Sequence, residues 1–381
     1  MPLSEDHRAV QDAVRAYVQD HIAPQAARWD KEHHFPAAEL KGLAALGCYG
    51  VAVPNEWHGA GLDYLALAVI LEEIAAGDGG TSTVVSVNNC PVCSILMAWA
   101  NDAQKRHWLV PLARGDLLGA FCLTEPHVGS QADGLTTTAV KRGGDYVLSG
   151  VKQFITSGKN GNVAIVMART SPKDADKAAG KKGISAFIVP TDAKGYTVAR
   201  IEDKMGQHSS DTAQIVFENC AIPQANLLAE EGMGLKIALS GLEGGRIGIA
   251  SQSVGMARAA FDAALAYSKE RVAFGKPIFE HQALQFRLAE MATQLEAARQ
   301  LIHHAARLKD AGLPCLKEAA MAKLFASEMA ERVCSAALQT FGGYGYVSDF
   351  PVERICRDVR VCQIYEGTSD VQKILIGRAL A

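Results

Sequence analysis

No apolar run in this chain reaches the roughly 18 residues that a membrane-spanning helix needs. Nor does it open on an apolar leader: Met1 to Asp12 is polar and acidic, without the arginine richness of a transit peptide. The expectation is a cytoplasmic protein, with a processed organellar form as the alternative. One-sided charge is missing too. A net charge of -3 over 381 residues leaves little to neutralise phosphates, so nucleic acid is not an expected partner. The 9 cysteines are odd in number and irregularly spaced. Cys90-Pro91-Val92-Cys93 has no second pair at zinc spacing, and the expectation is reduced, buried thiols with no metal. His33-His34 and His303-His304 are neighbours in sequence, which point apart on a helix, and read as surface or packing residues. No strand runs into a G-x-G-x-x-G turn, so the Rossmann signature is absent. Gly77-Asp78-Gly79-Gly80 is not followed by a P-loop lysine and reads as a break between helices. There is no internal repeat and no low-complexity tract.

What is present is enough for a large core. Hydrophobic residues make up 49% of the chain, and its length suggests two or three domains. Residues 1–117 read as helical: Leu65 to Ile74 is apolar, with Glu72 and Glu73 near its end, after a turn-rich loop from Pro54 to Gly61. The texture changes near Gly119. Phe121 to Thr124, Thr136 to Val140, Tyr146 to Val151, Val163 to Ala168, Ile184 to Val189 and Thr212 to Phe217 are short β-branched and aromatic runs. Arg142-Gly143-Gly144-Asp145 sits between two of them as a hairpin turn. Residues 118–230 therefore read as an antiparallel β-domain, with a solvated loop from Ser171 to Lys182. Residues 231–381 return to helix. Leu284, Leu288, Met291, Leu295, Ala298, Ile302, Ala305 and Leu308 form one apolar stripe. Met321, Leu324, Phe325, Glu328, Met329 and Val333 suggest a second, and long helices with short joints make a bundle. The fold class is α+β multidomain, in the order α, β, α.

The stretch Gln363-Ile364-Tyr365-Glu366-Gly367-Thr368-Ser369-Asp370 carries the chemistry. Glu366 follows an apolar and aromatic run, where a carboxylate is disfavoured as an anion and its pKa should rise toward that of a working base. Gly367 lets backbone approach a ligand, and Thr368 and Ser369 are donors and helix caps. By themselves these residues fit an ordinary loop before a helix better than a site.

Ile364-Tyr365-Glu366-Gly367-Thr368-Ser369 resembles the catalytic-base segment of the acyl-CoA dehydrogenases. In that family the Glu removes the pro-R α-proton of an acyl-CoA thioester while the β-hydride passes to N5 of FAD. Four further segments match in family order. Phe121-Cys122-Leu123-Thr124-Glu125-Pro126-His127-Val128-Gly129-Ser130 resembles a strand and turn that assigns Phe121, Leu123 and Thr124 to the flavin and Ser130 to phosphate and substrate. Lys152-Gln153-Phe154-Ile155-Thr156 resembles the segment lying on the flavin, with Thr156 near N5; Phe154 stands where many members carry Trp. Glu270-Arg271-Val272-Ala273-Phe274-Gly275, with Gln282, resembles the motif that reaches the FAD diphosphate of a neighbouring subunit. Ala273 replaces a frequent hydroxyl residue there. Gln339-Thr340-Phe341-Gly342-Gly343 matches the turn over the FAD adenosine. Thr368 and Asp370 complete the implied cofactor set.

Leu242-Glu243-Gly244-Gly245-Arg246-Ile247-Gly248 is expected to open a long helix. The resemblance gives Glu243 and Arg246 to the substrate, with Arg246 on a CoA phosphate or adenine, and adds Tyr365 and Gly367 to that set. Some relatives place their base where Gly245 stands, so base duty falls here to Glu366. The implied assembly is a homotetramer, a dimer of dimers. The implied partners are acyl-CoA and an electron-transferring flavoprotein, and the segment around Arg246 looks closest to short-chain members. Two alternatives remain: a flavin oxidase of the same fold that reduces O₂, and a non-catalytic helical scaffold.

Overall fold

The computed structural model describes residues 2–171 and 183–381. The expected loop from Ser171 to Lys182 falls almost wholly outside them. The amino-terminal part is helical. Ser4 caps the Glu5–Tyr17 helix by accepting from the His7 N–H at 3.2 Å. The Tyr64–Gly77 helix is capped by Asp63, which accepts from the Ala66 N–H at 2.7 Å. It is apolar nearly all round because it is central: it is buried from Leu65 to Ala75. Glu72 and Glu73, at its end, make buried ion pairs that tie the two helical parts together. Glu73 meets Arg15 at 2.8 Å and Arg258 at 2.7 Å, and Glu72 meets Arg299 at 2.9 Å. The glycine-rich break is tight. Asp78 ends one helix and caps the next, Gly79–Val87, through the Thr81 N–H.

The middle part is one sheet. Its strands are β1 (Gly119–Cys122), β2 (Thr138–Arg142), β3 (Asp145–Thr156), β4 (Val163–Arg169), β5 (Ile184–Pro190), β6 (Tyr196–Ile201), β7 (Thr212–Pro223) and β8 (Leu227–Leu228). The order is β6-β7-β3-β2-β4-β5-β8, with β1 beside β4. The hairpin forms where expected: Arg142 pairs with Asp145 across Gly143 and Gly144. The sheet is not wholly antiparallel. β1 runs parallel to β4, with Gly119 opposite Val163 and Cys122 opposite Val166; the intervening β2–β3 hairpin supplies the long crossover that a parallel pair requires. β4 alternates between two cores. Val163, Ile165 and Met167 face the amino-terminal helices, and Ala164, Val166 and Ala168 face the interior of the sheet.

The carboxy-terminal part is a bundle of the Gly234–Glu270, Gln282–Asp310, Leu316–Phe341, Pro351–Val359 and Ser369–Leu380 helices. Leu242 to Gly248 does not open the first of these, which already begins at Gly234. Its glycines serve approach, not termination: a Cβ at Gly248 would stand 2.6 Å from the Ser86 Oγ. The stripe from Leu288 to Ala305 is buried as expected. In the Leu316–Phe341 helix Met329 and Val333 are buried as expected, but they share that face with Ala319, Ala322, Ala326 and Ala330, while Met321, Leu324, Phe325 and Glu328 are only half-buried. Small residues there let the long helices close on one another. Among the described residues, no helix is long and apolar enough to cross a membrane.

Candidate active site

Glu366 lies in the turn between the Arg360–Gln363 helical turn and the last helix. Its φ is 54° and that of Gly367 is 93°, so the chain passes through two left-handed residues in succession. Only glycine does this at no cost, and contacts hold Glu366 there. The Lys323 Nζ donates to the Gly367 carbonyl at 2.7 Å. The Gln372 Nε2 donates to the same oxygen at 2.8 Å and to the Glu366 carbonyl at 3.2 Å. Thr368 caps the last helix by accepting from the Val371 N–H at 3.3 Å.

The side chain of Glu366 rests against the Gly234–Glu270 helix. A Cβ at Gly245 would lie 2.2 Å from its Oε2. That oxygen is buried and has no hydrogen-bond partner. Burial pushes the carboxyl up to about 7, against the pull of Arg246 and Lys323 in the other direction. The Glu366 N–H also has no acceptor among the described residues.

Arg246 is not at the mouth of a phosphate site. It is 4% exposed, sits well inside the helix, and its Nε and Nη1 lack partners. Burial lowers its pKa while Glu366 and Glu243 raise it. The side chain expected on a CoA phosphate or adenine instead faces the Glu366 carboxyl. Glu243 pairs with the Lys309 Nζ at 3.0 Å and accepts from the Cys315 Sγ at 3.3 Å. The Tyr365 hydroxyl is turned away into a buried network: it donates to the Gln252 Oε1 at 3.0 Å, beside Thr83 and Cys362.

A second group of expected residues lies at one edge of the sheet. A register irregularity in β3 between Lys152 and Ile155 ejects Phe154, which has φ 59° and is 63% exposed, as a bulge does. Ile155 points into the sheet core, so only its backbone can meet a ligand. Thr156 is half-buried opposite Thr212. Phe121, Leu123 and Thr124 are half-buried and Ser130 is exposed. The two segments are clasped by the Gln153 N–H donating to the Thr124 carbonyl at 2.9 Å.

Below them is an ion pair that the motifs did not flag. The fully buried Lys152 Nζ donates to Glu125 at 2.8 Å and to the Leu123 carbonyl at 3.1 Å. Glu125 also accepts from the Thr136 and Thr137 N–H groups at 2.6 and 2.9 Å. Against the effect of burial, Lys152 and these donors hold Glu125 down to about 2. A Lys inside a strand of apolar neighbours was the available signal.

A third group gathers on the bundle. Arg271, Gln339, Gly342 and Gly343 line one groove of about 710 Å³ with Tyr344. The Arg271 guanidinium sits 5.7 Å from the Tyr344 ring centre and makes no ion pair among the described residues. Gly342 has φ 61°, and a Cβ on it or on Gly343 would meet nothing within 4 Å. Phe274, at the tip of the β9 (Val272–Ala273) to β10 (Lys276–Pro277) hairpin, is 96% exposed. Gln282 and Asp370 are exposed as well. No hydrogen bond among the described residues links this groove to the sheet edge. An unpaired guanidinium beside open glycine backbone suits a diphosphate, and the buried, unpartnered Ser157 Oγ beside Thr156 suits a polar ring edge.

The ligand atoms of His33, Asp203 and His208 lie within 4.8 Å of one another. The two imidazoles stack at 4.1 Å. Both His208 nitrogens are engaged, one with Asp30 and one with the Lys204 carbonyl, so the contact is one of packing.

Comparison with known proteins covers nearly the whole chain. Residues 4–116, 120–220 and 232–381 match the acyl-CoA dehydrogenase N-terminal, middle and C-terminal domain families. The human mitochondrial short-chain specific acyl-CoA dehydrogenase is 46% identical over 374 residues, covering 98% of this chain and 90% of that protein. The butyryl-CoA dehydrogenase structure from Megasphaera elsdenii has a TM-score of 0.96 at 39% identity and covers 100% of this chain and 99% of its own. A chain in the structure named for the electron transferring flavoprotein of Acidaminococcus fermentans has a TM-score of 0.96 at 43% identity, again covering 100% and 99%.

Proposed function

Since the chain belongs to the acyl-CoA dehydrogenase family, FAD-carrying oxidoreductases, we propose that it desaturates a short-chain acyl-CoA to the trans-2-enoyl-CoA with Glu366 as the base. The observation that carries this reading is the Glu366 carboxyl. It is buried, unpartnered, and raised to about 7, which suits removal of an α-proton near neutral pH. Its own N–H, without an acceptor, polarises the thioester carbonyl and acidifies the α-carbon. FAD supplies the acceptor for the hydride leaving the β-carbon. Entry of the acyl chain excludes water and keeps the carboxylate basic.

Phe121, Leu123, Thr124, Phe154, Ile155, Thr156, Thr368 and Asp370 would hold the flavin end. Arg271, Phe274, Gln282, Gln339, Gly342 and Gly343 would hold the adenosine diphosphate end, supplied by a neighbouring subunit. The exposure of Phe274 and the open glycine backbone of the groove support that sharing, and with it a homotetramer built as a dimer of dimers. Ser130, Glu243, Tyr365 and Gly367 would take the substrate, and Arg246 would act from behind the base. Domain boundaries near residues 117 and 230, a cytoplasmic location, and electron-transferring flavoprotein as the acceptor belong to the same proposal. The likeness to the short-chain enzyme and to butyryl-CoA dehydrogenase favours a short acyl group.

The test is anaerobic titration of the FAD-loaded protein with butyryl-, isobutyryl-, octanoyl- and palmitoyl-CoA. Butyryl-CoA should bleach the flavin fastest. Glu366→Gln should keep the flavin spectrum and slow bleaching by roughly 10²–10⁴-fold, the usual worth of a general base. Near wild-type bleaching by that variant would refute the assignment. Peroxide formed without an added acceptor would identify an oxidase instead.

A further inference from the structure

Lys323 stands on the buried alanine face of the Leu316–Phe341 helix and is fully buried. Burying an ammonium carries a desolvation penalty, and an apolar side chain of the same size would pack there without it. No carboxylate lies within ion-pair distance of Lys323 among the described residues. Among those residues its one hydrogen bond runs to the Gly367 carbonyl at 2.7 Å, one residue beyond Glu366. Burial brings Lys323 down to about 8, with Cys362, Glu366 and Glu328 opposing and Arg246 assisting.

The turn it meets is strained. A glutamate at φ 54° is disfavoured and persists only where its surroundings over-determine it. Here three hydrogen bonds do so: one from Lys323 and one from Gln372 to the Gly367 carbonyl, and one from Gln372 to the Glu366 carbonyl. Two charged groups face the Glu366 carboxyl, Arg246 on the Gly234–Glu270 helix and Lys323 on the Leu316–Phe341 helix, and one further titratable group, the Cys90 thiol of the amino-terminal part, which burial keeps neutral.

We infer that Lys323 is a positioning residue for the base: with Gln372 it clamps the Gly367 carbonyl, fixes the left-handed turn that lays the Glu366 carboxyl against Gly245, and supplies a positive charge behind it. This rests on the reading of Glu366 as the base. Lys323 touches neither reacting atom. It acts on where the carboxylate sits and on how readily it gives up its proton.

The experiment uses the FAD-loaded protein and reads anaerobic bleaching by butyryl-CoA against pH, with butyryl-CoA affinity and thermal unfolding measured alongside. Lys323→Met removes donor and charge together. It should slow bleaching by roughly 10- to 100-fold, the range for a misplaced catalytic group, and move the pH midpoint upward by about one unit, with affinity little changed. Lys323→Gln keeps a donor to the Gly367 carbonyl but no charge. It should recover most of the rate above the shifted midpoint and keep the shift. Gln372→Met removes two donors and no charge, so it should slow bleaching without moving the midpoint. If Lys323→Met fails to hold FAD, the other two variants decide the matter. A wild-type rate and midpoint in Lys323→Met would overturn the inference, as would a wild-type rate in Gln372→Met or an unmoved midpoint in Lys323→Gln. Glu366→Gln is the control: if it bleaches at the wild-type rate the base assignment fails, and if it is inactive while the Lys323 variants behave as wild type, only the positioning role fails.

Discussion

A Gly245→Ala substitution adds one methyl group at the point where the Glu366 carboxylate rests. The new Cβ would lie 2.2 Å from Oε2, 2.8 Å from Cδ and 3.1 Å from Oε1, whereas ordinary contact begins near 3.4 Å. The carboxylate must retreat by about 1 Å, since repulsion rises steeply inside contact distance. It is the free end of a side chain, so the fold can yield locally. A displacement of that size costs up to roughly 100-fold in the chemical step. Stability should move the other way, because alanine is favoured over glycine inside a helix by about 1 kcal/mol. The variant should therefore bind FAD, unfold no earlier than the parent, and lose most of its rate of anaerobic flavin bleaching by butyryl-CoA. Stopped-flow spectroscopy and a thermal melt read the two quantities on one sample. A wild-type rate would show that the carboxylate does not need this place. A rate loss matched by a fallen melting temperature would show damage to the fold instead, and either result refutes the reasoning.

Three other expectations concern separate parts of the molecule. Bleaching in the wild-type protein should rise with pH through a midpoint of about 7, because only the ionised Glu366 accepts a proton; a rate that falls across that midpoint would contradict the assignment. Lys152→Met leaves Glu125 buried without its counter-charge and should cost about 3–5 kcal/mol in urea unfolding. Glu125 lies below its ordinary 4.5, at about 2, so the stability it contributes is complete above pH 4.5 and is lost as pH falls through 2. An acid titration of the wild-type fold that shows no loss there would contradict the pairing. Arg271→Ala should leave the far-ultraviolet spectrum unchanged and weaken FAD binding by roughly 10- to 100-fold, the worth of a hydrogen bond from a charged donor, read by titration of the apoprotein with FAD.

The order of helical, sheet and helical parts was legible because the hydrophobic period changes twice, near Gly119 and near Gly234. The Gly143-Gly144 hairpin was legible because a two-residue glycine turn has few other uses. β6 (Tyr196–Ile201) escaped notice because it is exposed along much of its length and offers little apolar signal. The parallel pairing of β1 with β4 lies in no local pattern at all. Glu366 could be singled out as a candidate through the resemblance of its segment, but the place of Arg246 could not. Gly244-Gly245 reads locally as a helix start, and only the fold shows that the glycines make room for Glu366 and Cys90. Lys323 was hidden in the same way. Its helix carries Leu324 and Phe325 on a half-buried side, and the alanines that flank Lys323 on the buried side give little hydrophobic signal.

These small residues explain how the Glu366 carboxyl comes by its raised pKa. Gly245 and the alanine face let helices converge closely enough to enclose Glu366, Arg246 and Lys323 together. Burial alone would carry the carboxyl above 7, and the two cations hold it there. The balance belongs to the bundle side of the site. The Phe154 edge and the Lys152–Glu125 pair belong to the sheet. Arg246→Met and Lys323→Met should therefore move the bleaching midpoint in the same direction, upward, because each removes a positive charge that favours the ionised base. Lys152→Met, whose charge faces Glu125 and not Glu366, should leave that midpoint where it is. The measurement is the pH profile of single-turnover bleaching for the three variants, each loaded with FAD. A midpoint that shifts in Lys152→Met, or that falls in either of the others, would mean that the proton affinity of Glu366 is set by something other than the two cations packed behind it.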